Sequence, residues 1–423
     1  VTMAQEYRIT NEDGSVSGGP MYYIEKGLGP NWKWLAIAFS TAAAICAFLT
    51  GNAVQANTVA DVMLTDYQIP KALTGFITAG LVGAVILGGI KRIGYVTSRL
   101  VPFMATLYVL GGLIILIINY DAVIPSVIQI VSNAFNPQAG ILGVGSGAFI
   151  FTLSYGVQRG LFSNEAGQGS APIAHSAAKT DQPVREGVVA LLEPFIDTLI
   201  VCTITGLVIV TTGAWDMYHS ATVFADEDPI SYVVDEGDDP SILYFENGVP
   251  VNGEMLRYNV PVDTMYTNEG ETTLFNGRIE GVDSNPVIFE DNDASLEALY
   301  GGVVENGAPL TSQAFEIGLA PLTSGGGSIV TLAVLLFAVS TSISWSYYGD
   351  RAAQYLFGFK SIVWYRLMFV AMHFLGAITA LTTVWAFGDV MLGLMAFFNI
   401  IALFALSGVI VKITRKYFEN TEV

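Results

Sequence analysis

Long apolar runs separated by short polar connections make up most of the chain. Because a membrane-spanning helix needs about 20 mostly apolar residues, the pattern predicts eight spans. They cover roughly residues 34–62, 72–90, 100–118, 141–167, 187–212, 328–348, 361–385 and 388–411. The pattern predicts an all-α polytopic membrane protein whose membrane part comes in two pieces, residues 1–213 with five spans and residues 313–423 with three.

Residues 214–312 interrupt this pattern. Short β-like runs at 241–245 and 286–289 are separated by Asn-Gly pairs, which favour turns. From Asp216 to Glu316 there are 21 acidic residues against two basic ones, Arg257 and Arg278. Since the whole chain has 37 acids and 18 bases, 16 acids and 16 bases remain outside this stretch. The net charge of −19 therefore belongs to this one stretch, which covers almost all of a small β-rich insert.

Charge also limits the function classes and predicts the orientation. A nucleic-acid-binding protein needs a basic surface, which the chain lacks. If the predicted spans alternate, 15 of the 16 bases outside the insert fall on one side and Lys71 alone falls on the other. Positive residues stay on the cytoplasmic side, so both termini are expected there and the insert is expected to be extracellular. The insert's carboxylates are interpreted as a solvated acidic surface in preference to a cation-attracting vestibule.

Polar side chains within the spans point to cavities, helix contacts or ion paths. In the first span, Asn52, Gln55 and Thr58 lie at i, i+3 and i+6, close to one helical face. An amide both donates and accepts hydrogen bonds, which suits a zwitterionic ligand. Hydrogen bonding between helices explains the same residues equally well.

The fourth span carries a second polar cluster. Gly143, Gly145 and Gly147 precede Thr152, Ser154 and Gly156, and the polar run 163–167 follows. This pattern predicts a broken helix whose exposed backbone groups line a binding cavity. A glycine-rich packing helix is the alternative, and it explains the glycines but not the polar run.

The third cluster is in the sixth span, where Ser340, Thr341 and Ser342 precede Trp345. Hydroxyl oxygens suit a hard cation such as sodium, and an indole can wall a small pocket. Hydroxyls bonded back to their own helix are an equally good explanation.

The remaining polar residues give weaker signals. Glu193 and Asp197, at i and i+4 beside Pro194, fit a structural role better than proton coupling. The sequence gives no reason to assign a role to His175 or His373. It shows no catalytic pairing, phosphate loop or metal motif, so we expect neither an enzyme nor a cofactor other than a coupling ion.

Six stretches of the chain carry distinctive motifs, namely Gly18–Gly27, Gly51–Gln55 with Asp61, Gly88–Gly94, Arg159–Gly167, Ala178–Asp181 and Trp345–Gly349. Together they resemble the alanine or glycine:cation symporters, and the resemblance covers nearly everything outside the insert. It implies a sodium- or proton-coupled importer of small neutral amino acids in the plasma membrane. It also implies a leucine-transporter-like fold of two inverted five-helix repeats.

By the same resemblance, the substrate pocket would include Gln55, the stretch from Thr152 through Ser154 to Gly156, and Trp345. Ser340 and Thr341 would form the cation site. The family pattern places three more spans before the first residue of this chain, two of them core helices, and a shorter loop where the insert lies. We therefore expect this chain alone to be inactive in transport. A membrane receptor whose insert binds the ligand is the alternative function.

Overall fold

In the computed structural model, the described residues are 1–11, 14–134, 156–157, 160, 163–224, 230–235, 238–239, 241–257, 260–262, 264–281 and 286–419. The chain divides into two compact units. A helical unit comprises Val1–Thr211 and Ser328–Val423, and a second unit comprises Thr212–Gly327.

The helical unit also contains one short hairpin, β1 (Ile9–Thr10) with β2 (Val16–Ser17). Its helices before the insert are α1 (Thr2–Glu6), α2 (Pro20–Tyr23), α3 (Lys33–Phe48), α4 (Val54–Tyr67), α5 (Lys71–Ile86), α6 (Ile90–Ile118), α7 (Tyr120–Ala134), α8 (Ala171–His175), α9 (Pro183–Ala190), α10 (Leu192–Pro194) and α11 (Thr203–Thr212). In the second unit lies α12 (Gly307–Leu319), and after it come α13 (Gly327–Phe357), α14 (Ser361–Ile378), α15 (Leu381–Ala405) and α16 (Ser407–Glu419).

Six helical segments of the described chain are long and apolar enough to cross a membrane, which confirms a polytopic membrane protein. They are Pro30–Tyr67, Lys91–Ile118, Pro183–Thr212, Gly327–Phe357, Ser361–Ile378 and Thr383–Ala405. Helix α5 is apolar but shorter, and it corresponds to the predicted second span. Most of the predicted fourth span lies outside the described residues.

The predicted boundary between the last two spans is wrong. Helix α14 ends at Ile378, and α15 begins at Leu381 after an extended Ala380 (φ −58°, ψ 135°). Asn57 Nδ2 donates to the carbonyls of Gly376 (3.0 Å) and Thr379 (2.7 Å). Because the carbonyls at a helix end lack partners within the helix, the Asn57 amide stabilises a break here that the apolar pattern conceals.

Small residues bring α4, α5 and α14 close together. A Cβ added to Gly376 would lie 2.4 Å from the Cα of Ala53, and one added to Gly75 would lie 2.6 Å from the Cβ of Ala377. Such contacts let helix backbones approach in a membrane, where apolar side chains gain little from leaving lipid. We call these four residues the small-residue seam.

The second unit is rich in antiparallel β-strands. The described residues form a five-stranded sheet ordered β12-β11-β10-β5-β6 and two three-stranded sheets, β3-β13-β9 and β4-β7-β8. The strands are β3 (Tyr218–Phe224), β4 (Ile230–Val234), β5 (Ile242–Glu246), β6 (Val249–Pro250), β7 (Gly253–Arg257), β8 (Val260–Pro261), β9 (Met265–Tyr266), β10 (Gly277–Glu280), β11 (Val287–Glu290), β12 (Ser295–Leu296) and β13 (Ala298–Val304). Leu243, Phe245, Phe275, Ile279 and Leu299 are among the buried core residues.

The strands predicted at 241–245 and 286–289 are present as β5 and β11, each shifted by one residue. Asn247 and Gly248 have positive φ angles of 52° and 80°, as a two-residue hairpin turn requires. The Asn306-Gly307 pair does not form a hairpin turn. Asn306 instead caps α12, its side chain accepting the backbone N–H of Gly307 at 2.7 Å.

The carboxylate of Glu316 orders the segment that follows α12. The amides of Gly325 and Gly327 donate to its two oxygens at 2.9 and 2.8 Å. Donation by the Gly327 and then the Gly325 amide lowers the pKa of Glu316 below its ordinary value. A carboxyl whose folded-state pKa is lowered contributes stability above its unfolded pKa, and that contribution is lost as pH falls through the lowered value.

We therefore predict that Glu316→Gln speeds hydrogen exchange at the Gly325 and Gly327 amides at neutral pH. The wild-type protection of these amides should also fall in acid, after correction for intrinsic exchange. Glu269→Gln, which changes an exposed carboxylate of the same unit, is the matched control and should leave both amides unchanged. Equal exchange in the two variants would contradict this role of Glu316.

Candidate functional site

A π-helical bulge interrupts the first predicted span. Residues Leu49–Ala53 form it between α3 and α4, within the continuous segment Pro30–Tyr67. Bulges of this kind often mark functional sites, because they re-aim backbone groups in the middle of a helix. The bulge contains Gly51 and Asn52, and Gln55 follows one turn after Gly51.

Trp345 of α13 packs directly on this bulge. Its side chain is buried, and a Cβ added to Gly51 would lie 2.3 Å from the indole Cγ. Since a glycine is the residue that admits so close an approach, Gly51 fixes where the indole sits.

The edge of the indole is held by a carboxylate. Trp345 Nε1 donates to Glu165 Oε1 at 3.0 Å, and Ser170 Oγ donates to Oε2 at 2.6 Å. Glu165 has a φ of +52°, and its turn is supported by Asn164, whose Oδ1 accepts the N–H of Ala166 at 3.0 Å. The polar run of the predicted fourth span therefore presents a carboxylate to the indole.

A cleft of about 240 Å³ opens next to Glu165. Its lining includes Tyr23, Asn164, Glu165, Glu193 and Asn399. Tyr23 Oη donates to Asn399 Oδ1, and Asn399 Nδ2 donates to the carbonyl of Gly167 at 2.8 Å. Glu165 and Glu193 thus line the same cleft.

The other carboxylate near Pro194 has a structural role. Asp197 lies in the π-helical segment Phe195–Cys202 and accepts the hydroxyls of Ser163 and Thr198, the latter at 3.3 Å. Asn164 Nδ2 also donates to Thr198 Oγ1 at 3.2 Å. Asp197 therefore joins this segment to the polar run, in agreement with the structural interpretation of the sequence.

A buried amide and imidazole connect three helices behind the bulge. Asn52 Nδ2 donates to the carbonyl of Phe369 at 2.7 Å, which leaves Oδ1 as the acceptor facing His373 Nδ1 at 2.7 Å. His373 Nδ1 must therefore carry a proton. His373 Nε2 lies 3.1 Å from Thr78 Oγ1, and Thr78 Oγ1 lies 2.9 Å from the carbonyl of Thr74. For neutral His373, the Thr78 proton can serve either acceptor but not both.

This network shows what the buried polar residues contact. Asn52 makes hydrogen bonds between helices, which is one of the two roles that the sequence predicted for this cluster. His373 has a role that the sequence did not assign, and so does His175, whose Nδ1 lies 2.6 Å from Glu186 Oε1. Thr58 bonds back to the carbonyl of Val54 at 2.9 Å. The third polar residue of the cluster, Gln55, donates from Nε2 to the carbonyl of Thr50 within the bulge, at 3.3 Å.

The three hydroxyl residues of α13 differ in burial and in hydrogen bonding. Ser340 is buried and donates to the carbonyl of Phe337 at 2.9 Å. Thr341 is half-buried and lies one turn before Trp345. Ser342 is fully buried, and within the described chain its hydroxyl has no hydrogen-bond partner. Gly156 is exposed, whereas Thr152 and Ser154 lie outside the described residues.

A second buried polar cluster lies farther along α13. Arg366 Nε and Nη2 both donate to Asp350 Oδ2, at 2.8 and 2.5 Å. Asp350 is fully buried, and its Oδ1 has no partner among the described residues. Arg351 lies over the Tyr347 ring and donates to Ser17 Oγ at 3.0 Å. Because Ser17 belongs to β2, this cluster fixes the β1-β2 hairpin to α13.

Comparison with known proteins agrees with this architecture. A profile of the sodium:alanine symporter family matches residues 1–233 and 295–423, leaving out much of the insert. The chain is similar to the sodium/alanine symporter AgcS of Methanococcus maripaludis, with 37% identity over 99% of this chain and 73% of that protein. An uncharacterized transporter of Haemophilus influenzae is 35% identical over 100% of this chain and 73% of its own length.

A third relative is the amino-acid carrier protein AlsT of Bacillus subtilis, 28% identical over 98% of this chain and 69% of its own length. The matches cover both helical pieces of the chain, including the segments that meet at Trp345. The chain belongs to the sodium:alanine symporter family.

Proposed function

We propose that the protein encoded by the complete reading frame carries out symport of a small neutral amino acid, alanine or glycine, with sodium across the plasma membrane. Family membership supports amino-acid:cation symport, and the Methanococcus maripaludis relative is named as a symporter of sodium and alanine. We propose alanine or glycine as the substrate and sodium as the coupling ion.

The proposed architecture is the leucine-transporter-like fold with two inverted repeats. Both termini of this chain are cytoplasmic in this proposal, and residues 214–312 are an extracellular insert between membrane pieces 1–213 and 313–423. The six apolar helical segments and the one-sided distribution of Lys and Arg support the arrangement. Alternating access would then come from rocking of the two repeats around a central site.

The observation that carries the proposal is the way Trp345 is held. Gly51 supports the indole face and Glu165 anchors its N–H, so the ring forms a fixed wall beside the bulge. A rigid aromatic wall limits the space for an amino-acid side chain, which favours small substrates. The Gln55 amide can serve both charged groups of a zwitterion, and Gly156 with Thr152 and Ser154 would complete the pocket.

We place the coupling ion at Ser340 and Thr341. A hydroxyl that donates its proton, as Ser340 does, still offers lone pairs to a cation. Thr341 is one turn from Trp345, so ion and substrate would bind close together. Cation binding would then favour the conformation that binds substrate.

Trp345→Phe tests the pocket. The protein encoded by the complete reading frame would be reconstituted in proteoliposomes, and uptake of radiolabelled alanine and glycine would be measured with an inward sodium gradient. The substitution leaves Glu165 Oε1 buried without the indole donor, which costs about 1–3 kcal/mol, so we expect uptake at low substrate to fall about 5- to 100-fold. Trp364→Phe is the matched control, since Trp364 is 75% exposed, and it should transport normally.

Three outcomes would contradict the proposal. Equal uptake with a potassium gradient would exclude sodium coupling, and normal uptake by a correctly folded Trp345→Phe variant would exclude the pocket. The receptor function would be favoured by two results together. The wild type would show no uptake, and changes confined to residues 214–312 would abolish amino-acid binding.

A further inference from the structure

A short helix follows the last apolar segment of the described chain. Helix α15 ends at Ala405, and α16 begins at Ser407 after the single residue Leu406. The side chain of Leu406 is buried against Gly27, where an added Cβ would lie 3.0 Å from Leu406 Cδ2. This contact fixes the turn between the two helices.

The position of α16 relative to the membrane follows from its neighbours. It contacts α9, the first part of the apolar segment Pro183–Thr212, and it follows directly on the segment Thr383–Ala405. Gly27, the residue under Leu406, comes just before the apolar segment that begins at Pro30. Because the ends of three membrane-crossing segments meet here, α16 lies at the edge of the hydrocarbon layer.

The two long faces of α16 differ. Val409 and Ile410 are partly buried against the core of the helical unit, and Ile413 and Tyr417 follow them at helical spacing. On the outward side, Val411 is 59% exposed and Phe418 is 52% exposed. These two residues are seven apart and form one apolar edge.

A basic edge adjoins this apolar edge. Lys412, Arg415 and Lys416 are all exposed, and Glu419 is the one acidic residue of the helix. An exposed helix with apolar and basic edges side by side has the composition of helices that lie in the membrane interface. We call residues 411, 412, 415, 416 and 418 the interfacial edge.

We propose that the interfacial edge of α16 binds the anionic phospholipids of the cytoplasmic leaflet. Val411 and Phe418 enter the boundary between headgroups and acyl chains, while Lys412, Arg415 and Lys416 bind lipid phosphates. The positive charge of the edge complements a negatively charged leaflet, and its place at the end of membrane-crossing segments brings it to that leaflet. This surface is distinct from the proposed transport pocket, and its lipid binding requires no transport.

A fluorophore at position 418 tests the proposal. Phe418→Cys would be labelled in a Cys202→Ser background, because Cys202 is the exposed cysteine of the two and Cys46 is buried. The protein from the complete reading frame would be placed in nanodiscs of phosphatidylcholine, with or without phosphatidylglycerol, using lipids brominated in the acyl chain. We expect at least a twofold stronger quenching when phosphatidylglycerol is present, and less quenching at high salt.

Further variants distinguish binding of anionic lipid by the basic side chains from insertion of the apolar side chains into any bilayer. Lys412→Gln, Arg415→Gln and Lys416→Gln combined should remove the difference between the two lipid mixtures. A label at Glu269→Cys in the acidic insert should stay unquenched in both. Equal quenching of the position-418 label in both mixtures would overturn the binding of anionic lipid, and absence of quenching would show that water or a protein covers this edge. The salt titration uses the labelled protein without any change of charge, so a folding defect in the triple variant would not prevent a decision.

Discussion

Arg366→Met is expected to lower the free energy of unfolding by about 3–5 kcal/mol, because it leaves the carboxylate of Asp350 buried without its ion partner. Asp350 is fully buried, and both hydrogen bonds from Arg366 reach the same oxygen. The measurement is unfolding in lipid bicelles by steric trapping, which gives free energies for membrane proteins under native conditions.

Two further variants identify the cause. Lys360→Met removes a positive charge from an exposed position next to the start of α14 and should change stability by less than about 0.5 kcal/mol. Adding Asp350→Asn to Arg366→Met should recover most of the lost stability, since the buried charge is then gone. If the double variant is as unstable as Arg366→Met alone, the loss comes from packing and the explanation by an unpaired charge is wrong.

His373→Leu is expected to destabilise the protein by about 1–3 kcal/mol and to weaken substrate binding. The substitution leaves Asn52 Oδ1 buried without a donor, which costs its desolvation. Because Asn52 belongs to the bulge that supports Trp345, loss of this bond should also loosen the proposed pocket. Stability can be measured by steric trapping and substrate binding by calorimetry.

His373→Asn and His373→Gln are the matched variants. The Asn amide can take the place of His373 Nδ1 and donate to Asn52, while the longer Gln amide can reach towards Thr78. If the bond to Asn52 matters most, His373→Asn should restore substrate affinity better than His373→Gln, although both keep a polar group in place. Equal affinity for the Leu and Asn variants would contradict the role of this hydrogen bond.

Hydropathy predicted most of the helices because a bilayer imposes length and apolarity on each span. It missed α7, since Tyr120–Ala134 is only 15 residues long and carries Asp121, Gln129 and Asn133. It also missed the break at Thr379, because residues 377–382 contain neither glycine nor proline. The partner that stabilises this break, Asn57, lies on another helix more than 300 residues earlier in the chain.

The sequence pointed to several residues of the candidate site, but it could not show which of them contact each other. Trp345 and Gln55 were singled out as polar or aromatic residues within apolar spans, and these two remain proposed pocket residues. Glu165 was seen only as part of a polar run, because its bond to Trp345 joins residues 180 apart. His373 was given no role because its partner Asn52 is 321 residues away, beyond what the periodicity of a single helix can indicate.

Glycines in the motifs that suggested the family also have a structural explanation. A Cβ on Gly18 would lie 2.4 Å from Ser176 Cβ, and one on Gly349 would lie 2.1 Å from the hydroxyl oxygen of Tyr365. These glycines preserve close contacts between segments far apart in sequence. A single sequence shows that a glycine is present, whereas the residue packed on it becomes visible only in the fold.

The small-residue seam provides a fixed frame for following the transport cycle. Gly376 and Ala53 bring α14 close to the bulge at the start of α4, and Gly75 and Ala377 bring α5 close to α14. This leaves these helices little freedom to slide or tilt separately. Spectroscopic labels on their lipid-facing sides, at positions such as Phe76, can therefore serve as stationary references. Distances measured from them would report the displacement of the other helices, with little contribution from movement of the reference itself.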